Sequence, residues 1–111
     1  EYLEKAYELD PIPQGQTTSD RRLAALFLGY FLKNDFTHCQ KLNEDIVNID
    51  IRTWLLNSYM CHKKEFNYTE DSWFKTGINQ FKDSDWDMEV DRFHLNNDPL
   101  KTRLIDFAKT I

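Results

Sequence analysis

The sequence predicts an all-α fold, a small bundle or short α-solenoid of five to six helices, forming a single helical domain over residues 1–111. Three observations carry that reading. Apolar residues recur at helical spacing in one segment after another. Residues that start and stop helices stand between those segments. Only one stretch alternates like a strand, and it has no second strand to pair with.

In chain order, Tyr2 to Leu9 reads as a short helix, with Leu3, Ala6 and Tyr7 on one face. Pro11 and Pro13 stop it, because proline cannot continue a helix. Asp10 to Thr18 forms a loop. Ser19 and Asp20 then open DRRLAALFLGYFLK, whose apolar residues cover nearly the whole circumference from Leu23 to Leu32. Such a helix is expected to be central and buried. Asn34 and Asp35 break it. Thr37 with Gln40 has the pattern of a capping box, followed by an apolar stripe of Cys39, Leu42 and Ile46. Asp50 can cap a helix running through His62, with Ile51, Trp54, Leu55, Ser58 and Tyr59 inward. Thr69 with Ser72 begins another, striped by Phe74, Ile78 and Phe81.

The next stretch, SDWDMEVDRFHL, carries two periodicities. Trp86, Met88 and Val90 alternate with acidic residues as in a strand, while Trp86, Val90 and Phe93 fit a helix. Without a pairing strand, a helix or an extended arm is expected. Asp98-Pro99 marks a last helix start, cap followed by proline, and that helix packs Leu104, Phe107, Ala108 and Ile111. The predicted core contains Leu26, Phe27, Leu42, Leu55, Phe74, Leu104 and Phe107.

Composition sets outer bounds on function. With 41% hydrophobic and 30% charged residues, the 111-residue chain is a folded globule rather than a disordered segment. Its net charge of −5, from 19 acidic and 14 basic residues, argues against nucleic acid and against anionic membrane surfaces. The same charge suits a basic protein partner. Aromatic residues are abundant at 14%, and three are Trp. Such side chains dominate binding hot spots when they are exposed. A chain that begins with Glu1 and not Met is expected to be a processed or trimmed product, in which a signal peptide would be invisible. Cys39 and Cys61 fit either a disulfide in an exported protein or two buried thiols in a cytosolic one.

Two stretches resemble the tetratricopeptide repeat, a helix pair that stacks into a solenoid. In KAYELDP, Ala6 and Pro11 match the end of such a repeat. In LGYFLKNDFTHCQKLNEDI, Leu28-Gly29 resembles the signature of the first helix and Asp35-Phe36 the turn. Cys39 and Ile46 fall where the small residues of the second helix belong. LLNSYMCHKKEF is a weaker echo. The sequence departs from the family at Ile46, large where alanine is usual, and at Ile51, which stands in place of proline. The resemblance implies a protein-binding groove and no catalysis.

Chemistry-bearing patterns are scarce. Asp83, Asp85, Asp87, Glu89 and Asp91 resemble a calcium loop, but Met88 replaces its turn glycine and His94 its bidentate glutamate. A solvated acidic face accounts for them better. His38-Cys39 and Cys61-His62 offer four zinc-ligand types, yet neighbours on a helix point about 100° apart, so each pair supplies one ligand. No metal or cofactor is expected. Gly15, Gly29 and Gly77 stand alone, so no phosphate-cradling loop is present, and no serine sits in a nucleophile elbow. Asn67-Tyr68-Thr69 fits a glycosylation acceptor, relevant only to a secreted eukaryotic protein.

The expected function is therefore a non-catalytic protein–protein interaction module. The alternative is a small acidic inhibitor or immunity-type protein that blocks a partner enzyme. In both, the partner-binding segment is Asp83, Asp85, Trp86, Asp87, Met88, Glu89 and Asp91. Trp86 either faces water as an anchor ringed by carboxylates or turns inward, leaving only the charges outside.

Overall fold

A computed structural model describes residues 18–111. The expected helix Tyr2–Leu9 and most of the loop from Asp10 lie outside the described residues. Among those described there are six helices and no strand: α1 (Thr18–Leu32), α2 (Phe36–Asp45), α3 (Ile51–Lys63), α4 (Ser72–Phe81), α5 (Trp86–Asp91) and α6 (Asp98–Thr110). The all-α expectation holds. The chain falls into two compact units, with the boundary between Thr53 and Trp54, inside α3.

In the first unit, α1 and α2 pack against each other across a three-residue turn. Asn34 occupies the left-handed region at φ 58°, where the backbone reverses at a helix end. The amide of Asn34 donates to Phe31 O at 2.9 Å and that of Asp35 to Tyr30 O at 2.9 Å, closing the last turn of α1. Asp35 then serves the next helix: its carboxylate accepts the His38 amide at 3.2 Å. That backbone bond, with further help from the His38 side chain and Lys33, holds the Asp35 carboxyl below the usual carboxylate range. The cap of α2 is thus Asp35, and the expected Thr37–Gln40 box is displaced by a helix that starts earlier.

Asp20 stands at the start of α1 as expected, but its carboxylate serves another part of the chain. It lies in the first turn of α1, is only 2% exposed, and its two oxygens accept the Val47 amide at 2.8 Å and the Asn48 amide at 3.1 Å. A residue read as a helix opener therefore ties down the chain leaving α2. The contact also fixes the two helices as antiparallel, since the start of one meets the end of the other. Cys39 Sγ donates to Phe27 O at 3.8 Å on the same packed face.

Helix α1 is less enclosed than its composition suggests. Ala24, Phe27 and Phe31 are buried, but Leu23, Leu26 and Leu28 are half-buried and Leu32 is exposed. The fully enclosed helix is α3, in which every residue from Thr53 to Cys61 is buried, including Thr53, Asn57 and Ser58. Ser58 Oγ donates to Trp54 O at 2.8 Å, and Asp50 accepts the Thr53 amide at 3.2 Å as the sequence implied. The Thr53 hydroxyl has no partner among the described residues. A buried hydroxyl without a partner costs about 1–3 kcal/mol. Thr53→Val keeps the shape and removes that cost, so urea unfolding should show a stability gain of about 1 kcal/mol. A loss of that size would show that the hydroxyl is bonded.

The second unit is organised by Trp54. Its Nε1 donates to Phe74 O at 3.3 Å, and its ring stacks on Phe74 at 5.4 Å and on Trp86 at 6.1 Å, with Phe81 tilted against it at 5.7 Å. Gly77 faces this ring, and a Cβ there would overlap the indole. Helix α3 ends as α1 does, with Glu65 left-handed at φ 56° and the Phe66 amide donating to Cys61 O at 2.9 Å. Helix α4 starts at Ser72, not at the expected Thr69. The cap residue Asp71 makes no side-chain cap bond, because its carboxylate accepts Trp73 Nε1 at 3.2 Å instead. The cap of α6 is Asn97, whose side chain accepts the Leu100 amide at 3.0 Å, one residue before the expected Asp98.

Of the expected core, Phe27, Leu55, Phe74, Leu104 and Phe107 are buried, whereas Leu26 and Leu42 are only half-buried. Ile111 lies beyond α6 and is exposed. Cys39 and Cys61 are both buried thiols and are not joined in a disulfide.

Candidate protein-interaction surface

The segment of interest follows α4 directly. The Ser84 amide donates to Phe81 O at 3.0 Å, ending that helix, and Asp85 begins the next by accepting the Met88 amide at 3.3 Å. The ambiguity between strand and helix is resolved in favour of the i, i+4, i+7 pattern. Trp86, Val90 and Phe93 are all buried, so one side of α5 is fixed inward.

Trp86 is 7% exposed and stacks on Trp54. It is a core residue, so of the two states the sequence left open the inward one is taken, and Trp86 drops out of the exposed partner-binding set. The reason is helical geometry. In a strand Trp86 and Met88 would share a face, whereas two positions on a helix turn them about 200° apart. Met88 accordingly points away from the buried side and is 47% exposed. Asp83, Asp85, Asp87 and Asp91 are exposed as expected, and Glu89 is half-buried.

The carboxylates differ in what they do. Lys109 pairs with Asp87 at 2.9 Å and Lys101 with Asp91 at 3.2 Å. The earlier residue of α5 meets the later residue of α6, so these two packed helices run antiparallel. The hydrogen bond that Lys109 donates to Asp87, reinforced by the carboxylate charge, holds the ammonium above the ordinary lysine range, with smaller pulls from Asp106 and Asp85. Arg92 reaches Glu89 at 3.4 Å, one helical turn away. Among the described residues, Asp83 and Asp85 form no salt bridge. The acidic field of the segment is therefore concentrated at its N-terminal end, beside Met88. The Glu89–Arg92 spacing was visible in the sequence, whereas the lysines of α6 could be assigned only once α5 and α6 were seen to pack.

Among the described residues, no group of three or more His, Cys, Asp and Glu side chains is placed to hold a metal ion. On the helix Asp87 and Asp91 lie one turn apart on one side while Glu89 is turned about 200° from Asp87, so the three carboxylates do not wrap about a cation. No described helix is long and apolar enough to cross a membrane. No protein-family model, curated protein or solved structure matches the chain.

Proposed function

We propose that this chain is a non-catalytic protein–protein interaction module, and that it contacts its partner through the outer side of α5 and the approach to it, residues 83–91. The observation that carries this reading is Met88, a flexible apolar side chain nearly half exposed on a helix whose opposite side is locked into the core. Methionine adapts to irregular apolar partners, and the surrounding carboxylates favour a partner with basic residues at the rim. Because Trp86 and Val90 hold α5 in place, little ordering is needed on binding. The tetratricopeptide-like pattern in α1 and α2 supports the same class of function.

Affinity capture with the intact chain, followed by mass spectrometry, identifies the partner. Met88→Glu should then weaken the complex at least about tenfold without changing the melting temperature, as expected for a central apolar contact. Asp83→Lys should slow association and flatten its salt dependence. An affinity within about twofold of the parent for Met88→Glu would refute this surface. A tight stoichiometric complex with one basic enzyme, inhibited on binding, would select the inhibitor form of the reading.

A further inference from the structure

The chain has four sulfur atoms, in two cysteines and two methionines, and all four lie among the described residues. Cys39 and Cys61 are 0% exposed, Met60 is 4% exposed, and Met88 is 47% exposed. Thiols ordinarily react with oxidants before thioethers do, but both thiols here are enclosed by packed side chains. Met60 lies in the uninterrupted buried stretch of α3. Met88 is therefore the one sulfur residue with substantial exposure in the folded chain.

We infer that Met88 is the oxidant-sensitive position of this protein, and that its conversion to methionine sulfoxide switches off the surface around α5 while leaving the fold intact. The switch rests on the function proposed above; the selectivity among sulfurs does not. The co-reactant is a hydroperoxide. The thioether sulfur attacks the distal peroxide oxygen, the O–O bond breaks as the S–O bond forms, and a proton moves to the departing oxygen to give water or an alcohol. Sulfur loses two electrons and the peroxide gains them. A neutral peroxide meets no repulsion from Asp85, Asp87 and Glu89, whereas an anionic oxidant would. The sulfoxide is polar and is reversible by reductases, so it removes the apolar centre of the surface without adding a permanent lesion. Since Met88 faces water and the core side of α5 is made by Trp86 and Val90, the added oxygen displaces no packed group.

The intact chain is titrated with hydrogen peroxide, and oxygen uptake is mapped by peptide mass spectrometry. One oxygen atom is expected on the peptide carrying Met88, with Met60 reacting at least about tenfold more slowly and the melting temperature unchanged. Met88→Leu should take up none at the same dose. Comparable reaction at Met60, Cys39 or Cys61 would overturn the selectivity, and a lower melting temperature of the singly oxidised protein would overturn the intact fold. With the captured partner, oxidation should weaken binding as Met88→Glu does. Binding lost in Met88→Glu but untouched by oxidation overturns the switch alone. Binding indifferent to Met88→Glu overturns the surface itself, and the selective oxidation then stands without it.

Discussion

Trp54→Ala is expected to lower stability by about 3–5 kcal/mol, the usual cost of emptying a large aromatic site in a core. Three effects add at this position. The indole is almost wholly buried, it stacks on Phe74 and Trp86, and its Nε1–H satisfies the Phe74 carbonyl, which would be left without that donor. Gly77 supplies the matching test. Alanine in mid-helix is ordinarily better than glycine by about 1 kcal/mol. Here the new Cβ would overlap the Trp54 ring, which cannot move aside without breaking its stacking and its hydrogen bond. Gly77→Ala should therefore cost about 1–3 kcal/mol, the range for overpacking a tight core. In the double variant the clash disappears, so Trp54→Ala with Gly77→Ala should be no less stable than Trp54→Ala alone. Urea unfolding of the four proteins checks this. A stabilising Gly77→Ala in the parent chain would show that the helix and the indole do not meet.

Asp20→Ala should cost about 1–3 kcal/mol, because two backbone donors lose the charged acceptor that the buried Asp20 supplies. The carboxylate also sits in the first turn of α1, where the helix dipole favours negative charge. Asp20→Asn separates acceptor capacity from size. The amide can accept from only one of Val47 and Asn48, and its NH2 group faces the other N–H, donor against donor. Its stability should therefore fall nearly as far as that of the alanine variant. If Asp20→Asn matches the parent in urea, the paired acceptance is not what holds the chain after α2.

The helical character of the segments was legible because it depends on local spacing. The i, i+4, i+7 positions of Trp86, Val90 and Phe93 are those that the structure buries. Asp50 caps α3 through Thr53, a bond that runs only three residues along the chain. Asp20 was read only as a helix opener, because its bonds run to residues 27 and 28 positions away, beyond any local period. Enclosure was the least legible property of all. An apolar circumference marked α1 as central, yet the helix with every face covered is α3, which carries Thr53, Asn57 and Ser58 into the interior.

For the acidic segment, the sequence by itself determined which side chains are present: five carboxylates, one indole and one thioether within nine residues. Only the tertiary structure decided which apolar group faces water. Two residues apart, Trp86 and Met88 would lie together on a strand and fall on opposite sides of a helix. The choice was made by Trp54, whose ring receives Trp86 and so turns Met88 outward. Likewise, the charges of Asp87 and Asp91 were plain in the sequence, but their partners were not. Lys109 and Lys101 reach them because α6 packs antiparallel to α5, and such pairing is a matter of proximity in space that no local period encodes.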